Sequence, residues 1–196
     1  MYRREFVLTS AALAAIGVPG SALALTEASA EKLIDTLVGD VNRVIASGKS
    51  ENGMIKDFEK IFAKYSDTSY IAAYAMGADG RRASAGQKRA FSNAFKGYMA
   101  RKYGRRFREF IGGRLEVKGV KKTKKWFEVS TLAYLQNQSP FEVSFHVSNR
   151  SGKDLFFNMF IEGINLLLTE RTEIGAMLDR NGGDIDKMIA ALKKAG

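Results

Sequence analysis

The only histidine of the chain, His146, stands four residues after Glu142 in a stretch that alternates apolar and polar side chains. On one face of a strand, a carboxylate so placed could orient the imidazole as a general base. Spacing sets no Ser, Cys or second catalytic carboxylate beside the pair, so a structural histidine is the competing reading. Having no Cys and one His, the sequence excludes thiolate zinc sites, iron–sulfur clusters, thiol nucleophiles, a lipoprotein anchor and multi-histidine metal centres. Gly112-Gly113 and Gly182-Gly183 begin neither of the glycine-rich phosphate-binding patterns and read as turns. No cofactor or metal is expected.

The second feature with chemical content is charge. Lys and Arg number 31 against 21 Asp and Glu, a formal net charge of +10. Sixteen of the cations fall between Arg81 and Lys125, against Glu109 and Glu116. They are interleaved with Phe91, Phe95, Tyr98, Tyr103, Phe107, Phe110 and Trp126, a mixture that suits a nucleic-acid surface with stacking aromatics. Anionic lipid head groups attract the same cations by the same Coulomb force. A merely solvated basic face is the third reading.

The N-terminus decides where this charge works. Arg3 and Arg4 precede an apolar stretch from Phe6 to Val18, and Ala22-Leu23-Ala24 supplies a small-x-small exit. This is an export signal, too short for a spanning helix, which takes roughly 20 apolar residues. Cleavage is placed after Ala24, with Ala28-Ser29-Ala30 as the second choice. Arg3-Arg4-Glu5-Phe6 also resembles a twin-arginine motif, so either the twin-arginine or the general secretory route fits. Both lead to the periplasm, where nucleic acid is not the expected partner. Loss of residues 1–24 removes Arg3, Arg4 and Glu5 and leaves a charge of +9.

The remaining 25–196 reads as one domain, with no Pro-rich or Ser-rich linker and no repeat. Leu33, Leu37, Val41, Val44 and Ile45 predict a helix from Ala28 to Ser47, stopped at Gly48. Ser50-Glu51 opens a second, whose Met54, Ile55, Phe58, Ile61, Phe62 and Tyr65 share one face, read as core packing. A short helix follows Asp67 as far as Gly77, and a long one begins at Ser84. From Leu115 the period becomes two: Leu115 and Val117; Phe127, Val129, Thr131 and Ala133; Phe141, Val143, Phe145 and Val147; Leu155, Phe157, Met159 and Ile161. Four consecutive strands joined by short turns predict an antiparallel sheet. Helical spacing resumes after Gly163, and a last helix starts at Asp184. The fold class is α+β: a four-stranded antiparallel sheet wrapped by helices, NTF2-like in part.

Three segments carry a family resemblance. Asp67, Ile71, Ala72 and Ala75-Met76-Gly77 form the first; Ser84-Ala85-Gly86-Gln87 with Phe91, Phe95 and Arg101-Lys102-Tyr103 form the second. The third is Phe157-Asn158-Met159-Phe160-Ile161-Glu162-Gly163-Ile164-Asn165, then Arg171, Gly183-Asp184-Ile185-Asp186 and Leu192. Together they resemble the MlaC-type periplasmic phospholipid-binding family, also called the toluene-tolerance family, of the maintenance of lipid asymmetry system. Met76 stands where the family usually has Leu, and Asn158 where it more often has Asp.

The resemblance implies a soluble carrier that shuttles phospholipid between an outer-membrane lipoprotein–porin complex and an inner-membrane ABC transporter complex with its MCE-domain protein. It implies a helical shell over the sheet and a deep apolar pocket for the acyl tails. For that pocket the expected lining is Phe127, Val129, Phe141, Val143, Phe145, Phe157, Met159 and Ile161 from the strands, with Ile164, Tyr74, Phe95 and Tyr98; each could instead be filled core. Arg101, Lys102, Arg105 and Arg106 are expected where head groups, membranes in transient contact or acidic partners are met. Glu162-Gly163 is read as a strand-to-helix turn in which Glu162 satisfies backbone donors. No catalysis is expected; an NTF2-like enzyme using His146 and a basic nucleic-acid-binding module are the alternatives.

Overall fold

The computed structural model describes residues 24–196, apart from the side chains at 107 and 108. The expected export signal and its expected exit at Ala22-Leu23-Ala24 therefore lie outside the described residues, save for Ala24 itself. Helix α1 (Glu27–Ile45) starts at the N-cap Thr26, whose hydroxyl accepts from Ser29 N in a reciprocal capping box. The second-choice cleavage point, Ala28-Ser29-Ala30, falls inside its first turns, and Ala30 is completely buried. Helices α2 (Glu51–Tyr65), α3 (Thr68–Met76), α4 (Ala85–Gly104) and α6 (Ile185–Leu192) start behind Ser50, Asp67, Ser84 and Asp184. Each of those side chains accepts from a backbone N–H three residues on, satisfying a donor the helix leaves open.

The sheet comprises β1 (Arg114–Lys122), β2 (Phe127–Tyr134), β3 (Phe141–Ser148), β4 (Leu155–Ile161) and β5 (Ile164–Asn165), antiparallel and in chain order. The class is the α+β expected, with one strand more than the four anticipated. The extra strand exists because Glu162 and Gly163 both take positive φ, 48° and 79°, which closes a two-residue hairpin pairing Ile161 with Ile164. Glu162 does not serve the backbone donors of α5 (Leu166–Arg180). Asn165 accepts from Leu168 N, and Asn158, reaching across from β4, accepts from Leu167 N.

Along β2 burial alternates strictly, with Phe127, Val129, Thr131 and Ala133 inward. In β4 it does not. The register slips between His146 and Val147, so that His146 faces Asn158 while Val147 faces Phe156. The bulge inserts Phe157 as an unpaired residue and inverts the parity before it. Phe156 therefore packs inward, 5.5 Å from the ring of Phe145, and Phe157 turns to the outer face against Tyr70 and Trp126. This corrects the expected inward row, which had Phe157 in and Phe156 out.

Helix α1 lies over β1 and β2 with Ile34, Leu37, Val38, Val41 and Ile45 beneath it. Its Asn42 side chain bonds both backbone groups of Leu115, donating to the carbonyl and accepting from the N–H at 3.0 Å each. That contact occupies part of the free edge of β1. Among the described residues no helix is long and apolar enough to cross a membrane.

Candidate functional site

Toward β3 and β4 the helices and the inner face of the sheet diverge and leave a cavity of about 370 Å³, within the roughly 300–1,000 Å³ of pockets that enclose small ligands. Leu37 and Val41 of α1, Phe58, Ile61 and Phe62 of α2, and Met99 and Tyr103 of α4 form one wall. Leu115, Phe141, Val143, Phe145, Phe156, Met159 and Ile161 form the other. The walls are thus apolar, apart from one tyrosine hydroxyl.

Polar lining is confined to one end. Arg106 and Glu109, from the 3₁₀ segment Arg105–Phe110, meet Gln138 and Ser139 of the β2–β3 loop and Glu162 of the β4–β5 turn, with Phe110 and Leu135 between them. These five polar residues are exposed, so this end is the mouth. The register explains the gathering. Arg114 pairs with Tyr134, Ala133 with Phe141, and Val143 with Ile161, which brings the start of β1, the β2–β3 loop and the β4–β5 turn to the same end of the sheet.

The phenol of Tyr103 is held by a buried carboxylate. Its Oη donates to Glu170 Oε1 at 2.5 Å, and Lys102 Nζ donates to the same oxygen at 2.8 Å. Glu170 is fully buried on α5, and its second oxygen has no partner. Lys102 Nζ also reaches Glu173 Oε2 at 2.7 Å, which accepts from Tyr98 Oη at 2.7 Å. Burial and the neighbouring carboxylates push both tyrosines far above their ordinary range, so they are hydrogen-bond donors at any physiological pH. Burial works to raise Glu173, but the bonds from Lys102 and Tyr98 outweigh it and hold the carboxyl below its usual range. The network ties α4 to α5 immediately behind the cavity.

Of the residues expected to line a pocket, the fold brings Phe141, Val143, Phe145, Met159 and Ile161 to the cavity. Phe127 and Val129 are buried in the packed part of the core. Phe95, one turn before the cavity-lining Met99, is completely buried against the rings of Phe91 and Tyr98, and Tyr98 is engaged with Glu173. Tyr74 lies under the Arg171 guanidinium, 5.2 Å from its ring centre. Phe157 is on the outer face of the sheet, and Ile164, 59% exposed, stands outside the cavity on β5. The walls from α1 and α2 were missed: their stripes were visible as apolar, but a stripe facing a void has the same spacing as one facing atoms.

The four expected cations separate. Arg106 is at the mouth. Arg105 lies 3.7 Å from Glu51, and Lys102 is paired with the buried Glu170. Arg101 donates to the carbonyls of Leu192 and Ala195, closing the C-terminus of α6. The basic run is therefore not one patch but is divided among α4, the mouth and β1.

His146 does not meet Glu142. Residues four apart on a strand are about 13 Å apart, and the carboxylate facing His146 is Glu128, across the strand pair at 3.9 Å. The imidazole is packed against Trp126 and Phe160, and burial lowers its pKa against the weaker pull of Glu128, so it is neutral at neutral pH. Among the described residues no group of acidic, His or Cys side chains is arranged to hold a metal.

A helix-wrapped antiparallel sheet with an apolar internal cavity, open at one polar end, defines an α+β protein built to enclose an apolar ligand. The chain belongs to the MlaC family, whose model matches residues 31–194. A solved structure, described as the phospholipid-binding protein from Ralstonia solanacearum in complex with a phospholipid, superposes with a TM-score of 0.69 at 17% identity. The match covers 83% of this chain and 98% of that one. No curated protein matches the chain.

Proposed function

We propose that this protein is a periplasmic phospholipid carrier whose cavity holds acyl tails while the head group stays at the mouth beside Arg106. One observation carries the reading: every wall side chain is apolar or, in Tyr103, has its polar atom bonded to a buried carboxylate, and the polar lining is gathered at a single end. An amphiphile fits that distribution; a uniformly polar ligand does not. Family membership and the phospholipid found in the Ralstonia relative support it.

Two acyl chains of roughly 15 carbons, at about 0.8 kcal/mol per methylene, carry about 24 kcal/mol of gross hydration penalty in water. A protein that surrounds them with Phe, Val, Met and Ile makes pocket and bilayer nearly equal in energy, so lipid can pass either way. Direction then comes from the partners, an inner-membrane ABC transporter complex with its MCE-domain protein on one side and an outer-membrane lipoprotein–porin complex on the other. Cleavage after Ala24 delivers the chain to the periplasm with the Thr26 cap of α1 intact, whereas cleavage after Ala30 would remove it.

Protein purified from a membrane-containing host is expected to show bound phospholipid by native mass spectrometry and solvent extraction. Recovery of no lipid at all would refute the reading.

A further inference from the structure

At the end of the sheet opposite the mouth, the β1–β2 hairpin and the β3–β4 loop lie side by side, because Lys122 pairs with Phe127, Phe127 with Val147, and Ser148 with Leu155. Six exposed cations gather there: Lys121, Lys122, Lys124, Lys125, Arg150 and Lys153. The carboxylates in the same segments are Glu128, which stands between His146 and Lys121 on the neighbouring strands, and Asp154. Among the described residues none of the six forms an ion pair, although elsewhere the cations are drawn to carboxylates, as in Lys64 with Asp40 or Arg114 with Glu116. Arg150 is fixed in place, its guanidinium 4.5 Å from the ring centres of both Tyr70 and Phe157. Six cations against two carboxylates leave this pole strongly positive, and like charges so close repel one another, so the cluster calls for an anionic surface outside the chain.

We propose that this pole docks the protein on an anionic lipid surface and holds the cavity mouth away from it. A lipid surface is favoured over an acidic protein because the pole offers lysine charge without an apolar anchor. Ile111, Ile164 and Leu168, the large apolar side chains most exposed among the described residues, all lie outside the hairpin and the loop. Protein interfaces draw their affinity from anchors that lose water on binding; Arg150, the one arginine of the pole, is already stacked on Tyr70 and Phe157, and a charged bilayer holds the five lysines through its diffuse layer alone. The strands set the separation: eight residues span about 27 Å, well beyond the Debye length of about 8 Å at physiological salt. The mouth of a docked molecule is thus outside the field of that bilayer and open to a partner. The orientation rests on the carrier reading; the charge contact does not.

The test is co-sedimentation of the purified protein with vesicles of equal parts phosphatidylglycerol and phosphatidylcholine, and with vesicles of phosphatidylcholine alone. The wild type is expected to partition to the anionic vesicles only, and less so at high salt. Each cation brought to such a surface is worth roughly fivefold in partition, so Lys121→Gln, Lys122→Gln, Lys124→Gln and Lys125→Gln combined are expected to lose between ten- and several hundred-fold. Arg106→Gln at the mouth, combined with Arg105→Gln beside Glu51, is expected to retain sedimentation with the anionic vesicles. Bound lipid, measured in the same preparations, is expected to be unchanged in the hairpin variant, which separates this inference from the carrier reading. Equal binding of wild type and hairpin variant would overturn the proposal. So would retention on immobilised polyglutamate without any preference for anionic vesicles, which would point to an acidic protein instead.

Discussion

Replacing Val143 by phenylalanine places a ring where the cavity is. Val143 pairs with Ile161 across β3 and β4, is 4% exposed, and contributes its methyl groups to the wall. Phenylalanine adds about four carbon-sized groups, which displace a similar number of tail methylenes. At about 0.8 kcal/mol each, the loss is about 3 kcal/mol, or on the order of a hundredfold in partition between protein and bilayer. Since the ring enters a void, the unloaded protein is expected to keep its stability, whereas Val129→Phe in the packed core is expected to lose about 1–3 kcal/mol through overpacking. The assay is lipid recovered per mole of protein, with a urea melt on the same samples. Ile164→Glu, on the exposed β5, serves as a surface control and is expected to recover wild-type lipid. If Val143→Phe retains as much lipid as Ile164→Glu, the cavity does not hold the tails and the carrier mechanism derived from it fails.

Three further outcomes follow from the packing. Glu170→Ala is expected to destabilise by about 1–3 kcal/mol in urea denaturation, because it leaves the Tyr103 hydroxyl without its buried acceptor while Lys102 keeps Glu173; an unchanged midpoint would show that the network is not what ties α4 to α5. Asn42→Ala is expected to lower stability by about 1–2 kcal/mol and to speed hydrogen exchange at the Leu115 amide, whose acceptor it removes. His146 is held neutral by burial, its pKa below the ordinary 6.5. The unfolded chain therefore binds its proton first, and the stability this residue contributes is present above about pH 6.5 and lost as pH falls through the lower folded value. His146→Gln should flatten that acid limb of a stability–pH profile, and an unchanged limb would refute the assignment.

Much of this architecture was legible because its signals are local. The stripe of α1, the oxygen side chains at Ser50, Asp67, Ser84 and Asp184, and the strict alternation of β2 each depend on neighbours within one or two turns. The same locality limited the site. Phe141, Val143 and Phe145 were readable as an inward row, but nothing in their spacing separates them from Val129, which meets solid core. On β4, alternation pointed Phe157 inward, and a single unpaired residue opposite His146 exchanged it for Phe156.

What the sequence determined by itself was the order and type of the elements, the apolar face of most of them, and a family resemblance that the match over residues 31–194 bears out. Tertiary structure alone decided where the helices stand off from the sheet, and hence which buried side chains face a void. It also gave the cations different places: Arg101 at the end of α6, Lys102 against a buried carboxylate, Arg106 at the mouth, and the lysines of the β1–β2 hairpin at the far pole. The physical reason is that hydrophobic periodicity records which side chains leave water, whereas a cavity and a charge pattern depend on distances between segments far apart in the chain.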